Sequence, residues 1–503
     1  MTTAEVEREL TLLAPQGFQL PAIAGALPGL TDGPQVHTEL DETYYDTNTL
    51  ALARAGVTLR YRSGEPGSAW TVQLPERRAG SSLTRLAVRF DGDPDTVPSG
   101  ARDLVRAYLR SRRLRPVARL RTQRTCVPLS DADGTHVAEL VHDLVATYEG
   151  ERQRGVFHEV ALELTGPRRP RQLQRAVSRR LVAAGCTTDV PCPRLVRALG
   201  ARAEAPAEVI VTPLDAEPSV LDLIRHAVAV SVDRLIRHDA VVRLGEDPEG
   251  VHQFRVAART LRSNLKTFTP VLDREWAGVL RTELGWLGTV AGGLRDLDVF
   301  EPRLRRLAAE LGQDDVPGVG ILFDRVAQQR EQARKATLSA LRCHRYDSLL
   351  EALVAATVAP VLAADALPSA PARALVRRAA RVQVRHLDRV VAKVSDPPTD
   401  EDLHAVRIQA KRTRYAIEAA RPVIGSAAAD HAAALADLQD VLGEFHDCTV
   451  AVQWLRDAAT ARPACGLAAG QLVAAEHAEQ TRLRARVHHA WRQANAKHLR
   501  HWL

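Results

Sequence analysis

The chain has 503 residues, 45% apolar but only 4% aromatic, with a formal charge of +7 and a pI of about 9.3. That length holds more than one domain, and cores built mainly of Ala, Leu and Val suit helix bundles better than aromatic-rich sandwiches. Six scattered cysteines without a CxxC pair argue against a disulfide framework or a structural zinc site. No apolar run approaches the ~20 residues that span a bilayer, and MTTAEVEREL at the start lacks a signal-peptide core. A cytoplasmic protein with no membrane partner is expected, and the positive charge favours an anionic one.

Residues 1–200 read as strand-rich. Period-two alternation appears in EVEREL, GVTLRYRSG, WTVQLP, THVAELVHDLVATYEG and FHEVALEL, separated by the turn-forming SGEPGS, DGDPD and SDADG. ARDLVRAYLRSRR and RQLQRAVSRRLVAAG read as helices within this part. The Ala-, Pro- and Glu-rich stretch 201–218 reads as a linker. From Ser219 to Leu503 the pattern is helical, broken at DREW, GQDDVPG, ADALPSAPA and SDPPTDED.

The helical part is an internal duplication. VHQFRVAARTLRSNLKTF, starting at Val251, matches LHAVRIQAKRTRYAIEAA, starting at Leu403. WLGTVAGGLRDLDV then matches DLQDVLGEFHDCTV, which sets Asp296 against Asp447. His252 and Asp296 are 44 residues apart, His404 and Asp447 43. Two similar four-helix bundles are expected, spanning about 219–358 and 373–503 and joined through ADALPSAPA.

In the first copy His252, Arg255, Arg259, Arg262 and Lys266 fall at offsets 0, 3, 7, 10 and 14; in the second His404, Arg407, Lys411 and Arg414 fall at 0, 3, 7 and 10. At 3.6 residues per turn each set occupies one helix face, and the first extends ~21 Å. Like charges at such spacings repel, so the stripe makes sense as a rail for a linear polyanion. Asp296 and Asp447 are expected to orient the basic side chains through ion pairs. With little aromatic material to stack on bases, phosphate without bases fits better than nucleic acid. HxxRVxxRxLR at His252 and HxxRIxxKRxRY at His404, with GGLRDLDV and LGEFHDCTV following, resemble the CHAD domain, the conserved histidine α-helical domain. The resemblance implies paired four-helix bundles that bind inorganic polyphosphate through these nine basic residues.

At the N-terminus, EVEREL puts Glu5, Glu7 and Glu9 on one strand face, which needs cations nearby, either Arg/Lys or a divalent ion. EVERE with YYDT, LARAGVTLRYRSG, WTVQLP and ELVHDLV is similar to the CYTH triphosphate tunnel domain over about residues 1–200. The resemblance implies an antiparallel β-tunnel or barrel, hence an α+β multidomain chain. It also implies Mg²⁺ or Mn²⁺ held by Glu5 and Glu7, with Asp143, Glu159 and Glu163 as further acidic candidates. Arg60, Arg62, Arg85, Arg121 and Arg124 would hold phosphate oxygens. Four positions depart from that pattern: Glu9 where a lysine is usual, Gln73 for the lysine of the LKLP-type strand, Ala87 for a Glu and Ala161 for the central Glu of the closing strand. Loss of a lysine and a carboxylate predicts weak or absent hydrolysis. The expectation is a binder of polyphosphate or triphosphate, associated with polyphosphate granules by the family resemblance. An active metal-dependent triphosphatase is the alternative.

Overall fold

The computed structural model describes residues 4–7, 9–64, 67–75, 77–79, 82–164, 171–187, 193–312 and 316–503; the side chains of 4–9, 77–79, 82–85 and 316 are not among what it describes. The chain separates into two compact units, Met1–Glu208 and Val209–Leu503.

The first unit is an antiparallel sheet. Its strands are β1 (Ala4–Glu7), β2 (Glu9–Ala14), β3 (Thr31–Asp32), β4 (Val36–Asp46), β5 (Thr58–Gly64), β6 (Ala69–Gln73), β7 (Arg77–Ala79), β8 (Ser82–Phe90), β9 (Arg115–Ser130), β10 (His136–Glu149) and β11 (Arg152–Leu164). The hydrogen-bonded path runs β1-β8-β6-β5-β4-β9-β10-β11-β2, with β3 beside β9 and β7 beside β8. No ladder joins β1 to β2 among the described residues, so the sheet is not the closed barrel expected. Its two ends are instead consecutive pieces of one N-terminal segment, pairing with β8 and β11 respectively.

Alternation sorts the side chains onto two faces. On one, Leu12, Val127, Leu129, Leu140, Val160 and Leu162 form a core with Leu173, Val177 and Leu181 of α4 (Arg171–Ala183). The other face carries an apolar patch and, along it, the charged residues described below. The patch comprises Tyr44, Ala118, Leu120 and Val145, packed with Leu50 and Ala53, Leu195 and Ala203. These last four come from α1 (Ala51–Arg54) and its N-cap, α5 (Arg194–Leu199) and α6 (Ala201–Glu204); α2 (Ser99–Leu104) and α3 (Arg106–Leu109) complete the unit. The first residues of the expected linker therefore belong to this unit: Ala203 is core, and Glu208 accepts hydrogen bonds from Arg110 and Arg112.

The second unit is all helix: α7 (Val220–Leu244), α8 (Pro248–Thr267), α9 (Arg274–Ala308), α10 (Val316–Arg342), α11 (His344–Val358), α12 (Ala372–Val391), α13 (Asp400–Ile424), α14 (Ser426–Ala461) and α15 (Gly466–Ala494). The breaks read from sequence carry real caps. Ser219 and Thr399 form capping boxes with Asp222 and Asp402, while Asp247 and Asp273 accept from the first-turn amides of α8 and α9. α7–α10 correspond to α12–α15, and the first half adds α11, which buries Tyr346, Leu349, Leu350 and Leu353. No described helix is long and apolar enough to cross a membrane.

Candidate functional site

The two repeated helices, α8 and α13, pack against each other, so the stripes of the two halves merge into one surface. Their apolar faces point the other way: Val251, Phe254, Ala258, Leu261 and Leu265 are buried on α8, and Leu403, Val406, Ala410 and Ile417 on α13. Tyr415 lies at the junction, with the Arg259 guanidinium 5.6 Å from its ring centroid and that of Arg414 5.2 Å. Lys411 is surrounded by Arg259, Arg407, Arg255 and Arg414; burial first, then these four charges, push its pKa down to about 8. Burial, aided by Arg255 and Arg414, also lowers Arg259. The Nε atoms of Arg259 and Arg414 are buried without a hydrogen-bond partner among the described residues. Donors left in that state are costly in a finished structure and are satisfied when an acceptor arrives.

Carboxylates offset this charge only in part. Asp296 pairs with Arg255 at 2.8 Å, and Glu418 pairs with Arg414 at 3.2 Å. Asp447 stands near Arg407 without a direct hydrogen bond among the described residues; burial raises its pKa against the pull of Arg407 and Arg303. His404 lies beside His446, ring centroids 5.6 Å apart. His252 is lowered by burial and by Arg295. Exposed Arg262 and Lys266 extend the stripe, and burial, Arg412 and Arg281 depress Lys266. Arg281, Arg295 and Arg412 thus join the cluster, although the sequence reading did not single them out. A signal for the first two was present: Arg281, Gly285, Gly288, Gly292 and Arg295 recur at offsets 0, 4, 7, 11 and 14. They give α9 a glycine-lined face, over which lie Arg262, near Gly285, and Arg255, which donates to the Gly292 carbonyl at 3.2 Å.

In the sheet unit the charged face joins Glu42 and Tyr44 of β4, Arg60 and Arg62 of β5, Arg124 of β9, Asp143 of β10 and Glu159 of β11. Register brings them together: Glu42 lies opposite Arg62, Tyr44 opposite Arg60, and Asp143 between Arg124 and Glu159. Arg60 Nε is 3.2 Å from Glu42, and Arg124 grips Asp143 with two bonds of 2.8 Å. Burial lowers Arg62, as do Arg60 and Arg124, against Glu42. Glu163 lies opposite Glu139 and Glu9, two residues beyond Ala161 on the same strand face.

Arg121 does not join this group. It is three residues from Arg124 on a regular strand and so points to the opposite face, 3.5 Å from Asp41 and over the Tyr148 ring. The side chains of Glu5, Glu7, Glu9 and Arg85 lie outside the described residues; their backbones pair Glu5 with Ala87, Glu7 with Arg85 and Glu9 with Glu163.

Asp143 and Glu159, as they are held here, do not fit the expected Mg²⁺ or Mn²⁺. Asp143 and Glu159 are held by arginines of α5: Arg194 donates to Asp143 through Nη2 and to Glu159 through Nε at 2.6 Å, and Arg197 donates to Glu159 at 3.2 Å. Burial alone would raise Asp143, but Arg194 and Arg124 overcome it and hold the carboxyl below its usual range. Among the described residues no three His, Cys, Asp or Glu side chains are grouped to hold a metal ion. Arg194 and Arg197 went unnoticed in the sequence because they follow the last strand and reach their partners only through tertiary packing.

Sequence models of two families match the chain, the CYTH domain over residues 4–183 and the CHAD domain over residues 226–456. Two uncharacterized proteins of Mycobacterium tuberculosis, MT2285 and Rv2226, are each 29% identical over 484 residues, covering 92% of this chain and 90% of their own length. Among solved structures, the CHAD domain of the plant Ricinus communis is 26% identical and covers 58% of this chain and 97% of its own, with a TM-score of 0.47. HpAC1 of Hippeastrum, for which a dominant triphosphatase activity is described, is 13% identical and covers 37% of this chain and 93% of its own, with a TM-score of 0.22.

Proposed function

The chain carries a CYTH domain followed by a CHAD domain, and from that architecture we propose that it binds inorganic polyphosphate along the joined basic surface of α8 and α13. The observation that carries this reading is the meeting of the two stripes at Tyr415, where Arg259 from one repeat and Arg414 from the other both approach the ring, each with a buried Nε that has no partner among the described residues. A surface of ordinary solvated arginines would turn its donors to water. Here burial and crowded cations depress Lys411, and among the described residues two carboxylates, Asp296 and Glu418, are in direct contact with the stripe. A phosphate chain supplies the missing negative charge and acceptors at every monomer, without needing aromatic platforms for bases. His252, Arg255, Arg259, Arg262, Lys266, His404, Arg407, Lys411 and Arg414 form the contact face, with Asp296 positioning Arg255. In the cell this binding would place the protein on polyphosphate granules.

Reversing charge at Arg255 and Arg407 together should abolish retention on long-chain polyphosphate at moderate salt. Unchanged retention, or displacement of polyphosphate by equimolar duplex DNA, would refute the proposal.

A further inference from the structure

Three carboxylates on the charged face of the sheet are almost fully buried: Glu42 and Asp143 are 2% exposed and Glu159 is 4%. They come from β4, β10 and β11, and one side chain reaches all of them. Arg194, the first residue of α5, donates through Nε to Glu159 Oε2 at 2.6 Å and through Nη2 to Asp143 Oδ2; its Nη1 stands 4.0 Å from Glu42 Oε2. An arginine usually presents the Nε–Nη2 edge to both oxygens of one carboxylate. Here that edge is divided between two carboxylates, which is how a divalent ion bridges acids from different strands. Glu42 Oε2 has no hydrogen-bond partner among the described residues, so it faces the guanidinium charge without a direct bond to it. Arg124 and Arg197 occupy further lone pairs of Asp143 and Glu159. The helix is fixed there by Leu195, packed with Tyr44, Ala118, Leu120 and Val145.

We propose that Arg194 is the resident cation of this acidic cluster, a covalently tethered charge standing where a divalent ion would bind Asp143 and Glu159. A metal at these oxygens would need the space the guanidinium fills and would have to displace two hydrogen bonds made at close range. It would also have to bind beside Arg124 and Arg197, against their repulsion. The cluster is therefore a metal-independent element of the sheet, held by protein charge alone. The inference rests on the sheet unit and does not depend on polyphosphate binding by the helices.

The test is Mn²⁺ binding to the full chain, followed by electron paramagnetic resonance in phosphate-free buffer. Wild type should show no Mn²⁺ site that Asp143→Asn weakens. Arg194→Gln should gain one bound Mn²⁺ per chain, with affinity raised about tenfold or more over wild type. Adding Asp143→Asn to that variant should remove it. Arg194→Lys keeps the charge and should gain nothing, so it decides the matter if Arg194→Gln does not fold by circular dichroism. The proposal is overturned if wild type binds Mn²⁺ through Asp143, if folded Arg194→Gln binds no more than wild type, or if Arg194→Lys gains a site.

Discussion

Lys411→Met should make the helical unit more stable while weakening its hold on polyphosphate. The side chain sits among Arg259, Arg407, Arg255 and Arg414, and burial with those charges takes its pKa from 10.5 to about 8. A displacement of that size corresponds to at most about 3 kcal/mol of destabilisation while the lysine is charged. The side chain is only partly buried, so solvent screening reduces this to about 1–2 kcal/mol. The sign follows from proton counts. Below the folded value both states carry the proton and the full penalty applies; between about 8 and 10.5 the unfolded chain binds more protons than the folded one, so the penalty fades as pH rises. Methionine keeps the length of the chain and discards the charge. Urea unfolding followed by circular dichroism at 222 nm, without phosphate, should give the variant an advantage of about 1–2 kcal/mol near pH 7, falling to roughly half or less near pH 9.5. An advantage absent at neutral pH, or equal at both pH values, would show that the cluster is not strained by unopposed charge, and the argument for an anion there would fail with it.

Seven cations, Arg255, Arg259, Arg262, Lys266, Arg407, Lys411 and Arg414, give an expected slope of log affinity against log salt of about −5, a loss of roughly 10³ in affinity between 50 and 200 mM salt. Replacing both Arg259 and Arg414 by Gln should flatten that slope by about 1.4; an unchanged slope in a folded variant would remove them from the contact face. Phosphate release from tripolyphosphate with Mg²⁺ or Mn²⁺ should stay at background in wild type. Robust turnover abolished by Glu5→Ala would restore the triphosphatase reading. Buried His431 is held down to about 4, chiefly by burial and then by Arg500. Its contribution to stability is present above about 6.5 and is lost as pH falls toward 4, by at most roughly 3 kcal/mol. Acid unfolding of His431→Gln should lack that limb, and an identical pH profile would count against it.

The helical half was legible because its evidence is local and written twice. Offsets of 3 and 7 fix a helix face without any knowledge of tertiary structure, and the matched spacing to Asp296 and Asp447 fixes the duplication. What repetition could not reveal was that α8 and α13 lie side by side, turning two rails into one surface. On the sheet, the reading went astray at Arg121 although parity was available: positions 121 and 124 cannot share a face of a regular strand. β4 was not read as a strand, so Glu42, the partner of Arg60, was missed. Arg194 could not have been found by any periodicity, since its meaning lies in three strands distant from it in sequence.

Arginines meet different partners in the two units, and that contrast separates the proposed anion-binding surface from a self-contained ionic core. On the sheet, Arg124, Arg194 and Arg197 each end on a buried carboxylate, and the resulting network pushes Arg194 well above its ordinary pKa and Asp143 below its own. A buried pair of this kind is costly to break but contributes little beyond offsetting its own desolvation, so it has small affinity left for an outside ion. On α8 and α13 the shifts of Arg259 and Lys411 run the other way, downward, through burial first and then through neighbouring cations, Arg255 and Arg414 among them. Composition cannot make this distinction, since both units are rich in arginine. It lies in the partners the cations meet: on the sheet Arg124, Arg194 and Arg197 end on Asp143 and Glu159, whereas Arg259 and Lys411 are flanked by Arg255 and Arg414.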